Sequence, residues 1–158
     1  MRVQMHRREF LRAAAAALPA IGLASCSVAE AQTGHVVVHK EATCGCCGIW
    51  MEHLHAAGFT TEAFDHADIA AVKAQHGIPS QLQACHTALV DGYLIEGHVQ
   101  AQDIQRLLRE RPEARGLAVP GMPVGTPGMG MEQGIPMARH DVYLLTADGP
   151  VVYASYGA

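Results

Sequence analysis

The sequence has no basic surplus: 11 Lys and Arg stand against 15 Asp and Glu, a formal charge of −4. That balance argues against nucleic acid as a partner and against an electrostatic grip on anionic lipid, but leaves cationic ligands open. It also lacks a membrane span. The apolar run from Ala13 to Ala24 falls short of the ~20 residues a span needs. No internal repeat and no long disordered tract are visible. Behind its N-terminal segment the chain therefore reads as one domain with a real core.

The N-terminus reads as an export leader. His6-Arg7-Arg8-Glu9-Phe10-Leu11-Arg12 precedes the apolar run, which is the order of a charged n-region and a short h-region. Arg7-Arg8 with Phe10-Leu11 resembles a twin-arginine signal, which directs a chain to the periplasm. Leu23-Ala24-Ser25-Cys26 resembles a lipobox, in which Cys26 takes the lipid and forms the chain's one link to a membrane. Ala29-Glu30-Ala31 offers a competing cut before Gln32 and a soluble product. The expected organisation is a leader over 1–25 with the lipobox at 23–26, a linker over 26–33 and a folded domain over 34–158. Loss of the leader removes Arg2, Arg7, Arg8, Arg12 and Glu9, leaving 7 basic and 14 acidic residues and a charge of −7.

Within the domain, His35 to Lys40 is a β-branched run and reads as a buried strand. Thr43 to Gly48 reads as a turn, and Ile49 to Ala57 as a helix with Trp50, Leu54 and Ala57 on one face and Gly58 as its stop. Phe59 to Phe64 alternates as a second strand. Asp65 or Asp68 caps a helix with Ile69 and Val72 inward, halted by Gly77 and Pro79. His86 to Val90, Asp91-Gly92 and Tyr93 to Glu96 form a hairpin signal. Asp103 to Arg111 is a helix ended by Pro112. Ala118 to Gly134 is a Gly/Pro/Met-rich loop, and Asp141 to Leu145 with Val151 to Ala154 a last hairpin. The order β-α-β-α-β-β-α plus a hairpin predicts an α/β fold, by analogy a thioredoxin-like domain with an added C-terminal β-hairpin. That analogy fixes no activity.

The chemistry is concentrated in cysteine. Cys44-Gly45-Cys46-Cys47 puts a C-x-x-C at a predicted helix start, where the macrodipole and free N–H groups favour thiolate. A thiolate is both nucleophile and metal ligand, so C-x-x-C alone leaves redox and metal readings open. Cys46 favours metal: a third thiol invites wrong pairings in a dithiol enzyme, whereas three thiolates suit Cu(I), zinc or an iron–sulfur cluster. Cys85 is the expected fourth ligand, because the strand it precedes lies against the C-x-x-C turn in a thioredoxin-like domain. There the dithiol enzymes hold a cis-proline, and this chain has His86-Thr87, expected in trans. His86 then offers an imidazole. His98, beside the start of the last helix, and the thioether of Met122 are further candidates. The remaining histidines look scattered; His53 and His55, two apart on a helix, point to different faces. Met129, Met131 and Met137 read as gap-fillers.

Four separated motifs carry a family resemblance: Thr43-Cys44-Gly45-Cys46-Cys47-Gly48, Cys85-His86-Thr87-Ala88, Glu96-Gly97-His98-Val99, and Gly116-Leu117-Ala118-Val119-Pro120-Gly121-Met122-Pro123. Together they resemble the copper-resistance CopG-like family of periplasmic proteins, not the ribbon-helix-helix repressors of the same name. The resemblance implies a thioredoxin-like fold, copper held by the cysteines, and a role in handling excess periplasmic copper beside other copper-handling proteins. The leading expectation is an exported Cu(I)-binding protein, open to cycling with Cu(II). A thiol–disulfide oxidoreductase using Cys44 and Cys47, and a structural zinc site of four cysteines, stand as alternatives. Whether the chain is an enzyme, a copper or thiol oxidoreductase, stays open at this point.

Overall fold

The computed structural model describes residues 33–158. The leader, the lipobox with Cys26, and nearly all of the 26–33 linker lie outside the described residues. The chain folds as a mixed α/β structure. In order it runs β1 (His35–Glu41), α1 (Gly45–Ala56), β2 (Thr60–His66), α2 (Ile69–Gln75), β3 (Thr87–Val90), β4 (Tyr93–Glu96), α3 (Ala101–Glu110), β5 (Gly116–Ala118), β6 (His140–Thr146) and β7 (Gly149–Tyr156). The strands form one seven-stranded sheet in the order β2-β1-β3-β4-β5-β6-β7. The β1–β2 and β4–β5 pairs are parallel and the others antiparallel.

Alternation along β1 divides the interior. Val36 and Val38 face the main core, where they meet Trp50 and Leu54 of α1 and Ile104, Leu107 and Leu108 of α3. The other face carries a smaller cluster of Ile78, Leu82, Leu94, Ala118 and Leu145. The helix ends follow the expected chemistry. Asp68 caps α2 by accepting from the Ala70 N–H. Gly58, at φ +92°, donates to His55 O while Phe59 donates to Leu54 O, closing α1.

Two expectations need correction. The helix start predicted at Ile49 lies at Gly45, so most of the cysteine motif is the first helical turn rather than a preceding turn. The loop predicted from Ala118 follows a strand that periodicity does not show: β5 is three residues long and pairs parallel to β4. It approaches so closely that a Cβ on Gly116 would sit on the Leu94 carbonyl. Through β5 the last hairpin joins the same sheet.

Candidate metal centre

Cys44 is the N-cap residue of α1, and Cys46 and Cys47 lie in its first turn. That turn holds no acidic side chain and the cap makes no side-chain hydrogen bond. Its free N–H groups and positive dipole end therefore have sulfur before them. Cys47 turns inward with Trp50 and Leu54, and is fully buried. Cys85 arrives from the segment that leads into β3. The four sulfurs lie within 4.8 Å of one another. Cys44 and Cys47 are joined as a disulfide, while Cys46 and Cys85 are free thiols.

The spacing of the free contacts fits an ion. Cys44–Cys46 is 3.6 Å, Cys46–Cys85 3.8 Å and Cys47–Cys85 3.6 Å. Two thiolates bound at ~2.3 Å to one tetrahedral ion stand about 3.8 Å apart. Once the Cys44–Cys47 bond is reduced, the donor set is already at coordination distance.

Two imidazoles complete the pocket. Cys85 Sγ lies 3.3 Å from His86 Nδ1 and 2.9 Å from His98 Nε2, and these three side chains form a second donor group. Both histidines are fully buried. His98 Nδ1 donates to the Pro127 carbonyl at 2.6 Å. A carbonyl only accepts, so the proton sits on Nδ1 and the Nε2 lone pair faces Cys85. His86 packs its ring 4.2 Å from that of Trp50, and its Nε2 is buried without a partner. The nitrogen that faces Cys85 is Nδ1, so a tautomer with the proton on Nε2 leaves the Nδ1 lone pair towards the thiol. Burial pushes His86 well below the usual imidazole range, with His98 and Lys73 adding to it, and burial lowers His98 too, which favours the neutral form of both. Burial, then Cys46, pushes the Cys85 thiol up to about 12. A metal has to displace that proton.

The Gly/Pro loop closes the site from outside. Gly128, at φ +83°, lies where a Cβ would fall 2.4 Å from Cys46 O and 3.3 Å from His98 Nδ1. Only a residue without a side chain lets the loop lie this close. Behind Cys85, the buried Glu96 accepts from the buried Lys73 and Thr87 Oγ1 and from the half-buried Ala84 N–H.

Solved structures with this architecture exist. One named "Copper resistance protein copG- Form 1" aligns with a TM-score of 0.73 at 44% identity, over 80% of this chain and 100% of that one. A second, "Copper resistance protein copG- Form 2", gives 0.72 at 45% identity, over 79% and 99%. The chain belongs to the CopG copper-resistance family. A family model described as "Protein of unknown function, DUF411" also matches residues 82–129, the stretch from Cys85 to the loop over the site. No curated protein matches.

Of the residues expected at the CopG site, Cys44, Cys46, Cys47, Cys85, His86 and His98 converge. Met122 is 51% exposed; it follows Gly121, whose backbone bridges to Ala84 beside Cys85. The Cys85–His86 peptide is trans, as expected. His53 has a structural role: its Nε2 accepts from the Ala101 N–H at the start of α3. The Lys73–Thr87–Glu96 network was not expected. Its one signal in sequence is a carboxylate closing the apolar strand Tyr93-Leu94-Ile95-Glu96.

Proposed function

We propose that this CopG-family chain is exported to the periplasm and there binds copper(I) as cargo in copper handling and resistance. Cys44, Cys46, Cys47 and Cys85 serve as thiolate ligands, and His86 and His98 as imidazole ligands. The observation that carries this reading is the convergence of four sulfurs within 4.8 Å, although Cys85 is 38 residues from Cys47. Soft thiolates select Cu(I), and two relatives are named for copper resistance. Cys85 belongs to both donor groups, so its sulfur is placed to bridge two ions. Imidazole also suits Cu(II), which leaves room for redox cycling. Met122 adds a thioether on the loop beside the Cys85 segment.

Arg7-Arg8 supports export by the twin-arginine route, and the lipobox supports a lipid anchor at Cys26. The run from β1 to α3, with the cysteine motif at the start of α1 and Cys85 before β3, supports a thioredoxin-like unit extended by β5, β6 and β7. The Cys44–Cys47 disulfide favours a second reading, thiol–disulfide exchange. In the copper reading the same bond is a closed state: an external dithiol, itself oxidised to a disulfide, supplies the two electrons and two protons that return both thiols before copper enters.

Metal analysis of protein purified anaerobically under reducing conditions, followed by competition with a Cu(I) chelator and with zinc, tests the proposal. Copper retained against the chelator supports it. A protein that retains zinc and no copper would overturn it in favour of a structural zinc site.

A further inference from the structure

Three histidines outside the copper centre are far apart in sequence but adjacent in space. His39 lies near the end of β1, His66 ends β2, and His76 is the C-cap of α2. In the parallel register His39 is opposite Phe64 and Glu41 opposite His66, so all four project from the same face of the sheet. On the other side His39 pairs with Thr87, whose hydroxyl meets Lys73 of α2. That face is therefore the one α2 covers, opposite the Val36–Val38 face that packs on α1.

His39 Nδ1 and His66 Nε2 are 2.8 Å apart, and their ring centroids 5.0 Å. The His76 ring stands 6.5 Å from that of His39, and Phe64 stacks on His39 at 5.7 Å. Two imidazoles bound to one tetrahedral ion at ~2.0–2.1 Å place their nitrogens about 3.3 Å apart. The existing His39–His66 contact of 2.8 Å needs to open by about half an ångström. His76 sits half-buried at the end of a short helix, and binding requires its side chain to turn towards the His39–His66 pair. Burial, with His66 and His76 nearby, holds His39 below the usual imidazole range, which keeps it neutral.

We propose that His39, His66 and His76 form a second metal site, for a divalent cation of borderline softness such as Zn(II) or Cu(II). Its all-nitrogen donor set differs from the thiolate centre, and imidazole is the ligand type that suits these ions. Glu41, beside His66 on the same face, is available as an oxygen donor.

Long-range ¹H–¹⁵N spectra of the full chain during Zn(II) addition separate the two sites. His86 and His98 report zinc at the thiolates, while His39, His66 and His76 report this site. The expected result is that saturating zinc moves all three of the latter resonances. By equilibrium dialysis His66→Gln and His76→Gln should each weaken that zinc at least ~10-fold, with the zinc response of His86 and His98 the same as in the wild type. Should His39 and His66 stay in place at saturating zinc, the site does not exist. Wild-type zinc affinity in His76→Gln, which leaves the strand pair untouched, would equally overturn it.

Discussion

His98 links Cys85 to the covering loop: its Nε2 lies 2.9 Å from Cys85 Sγ while its Nδ1 donates to Pro127 O at 2.6 Å. The loop thereby sets the tautomer of an imidazole that faces the thiol. Closure depends on Gly128, where an added Cβ would collide with Cys46 O and φ is positive. Gly128→Ala should lift the loop, break the Pro127 contact and cost about 1–3 kcal/mol of stability. Bound copper should then exchange faster with a chelator. Unchanged exchange in a folded Gly128→Ala protein would mean the loop does not guard the centre.

Cys85 tests fold and function together. Cys85→Ser should stay folded and lose Cu(I) affinity at least ~10-fold or drop in stoichiometry, since a hydroxyl is a poor soft-metal ligand. If the residue merely packs, the half-buried hydroxyl costs ~1–3 kcal/mol and copper binding is retained. Cu(I) titrations beside thermal melts separate the two outcomes, with Cys26→Ser as the control that changes neither. A wild-type titration for Cys85→Ser would remove it from the site.

The raised Cys85 thiol gives a pH dependence of known sign. Its pKa lies above the ordinary 9.0, at about 12, so in the metal-free fold it is protonated throughout the neutral range. Copper binding as thiolate releases that proton. Affinity should therefore rise with pH by about tenfold per unit from Cys85 alone, and fall on acidification. For the metal-free fold the sign is opposite: the stability contributed by the protonated thiol is complete below 9.0 and is lost as pH rises towards 12. Chelator competition across pH 7 to 9 measures the first; an affinity independent of pH would exclude Cys85 as a thiolate ligand.

Export rests on residues outside the described fold. Replacing both Arg7 and Arg8 with Lys should leave precursor in the cytoplasm, seen by fractionation. Labelled palmitate should enter through Cys26 and be absent from Cys26→Ser. Normal export of the double-lysine protein would remove the twin-arginine reading, and a mature N-terminus at Gln32 would remove the anchor.

Elements with a strong local pattern were legible in the sequence. The Val36-Val37-Val38 run, the Asp91-Gly92 hairpin and the Ile104-Leu107-Leu108 face each carry their own periodicity and stop signal. The start of α1 was misplaced because Gly45 and Gly48 are poor helix formers, overruled by burial of Cys47 on the same helix as Trp50 and Leu54. β5 escaped because a three-residue strand has no alternation and its partner β4 lies across α3. At the site, the motif spacing located the cysteines. The weight of His98 was hidden because the carbonyl that orients it comes from Pro127, far along the chain. The His39–His66–His76 convergence was invisible for the same reason: strand register, not sequence spacing, brings it about.

Lys73 and Glu96 were likewise unreadable as a pair, and they support the strongest stability prediction. They meet at 2.5 Å with 3% and 0% exposure. Glu96 also accepts from Thr87 Oγ1 at 2.6 Å and from the Ala84 N–H at 2.7 Å. The carboxylate thus ties α2 and β4 to the backbone just ahead of Cys85. Lys73→Met strands a buried carboxylate and Glu96→Gln a buried ammonium, and each should cost about 3–5 kcal/mol. Lys73→Met/Glu96→Leu removes both charges and should cost clearly less than the summed single losses, because neither partner is left unpaired. The Ala84 N–H loses its acceptor in the double variant, so the Cys85 segment should loosen and Cu(I) affinity fall even where stability recovers. Urea melts of the wild type, Lys73→Met, Glu96→Leu and the double variant give the coupling energy, and chelator competition gives the affinity. Additive losses would mean the two groups act independently; recovered stability with wild-type copper affinity would mean the network supports the fold but does not position Cys85.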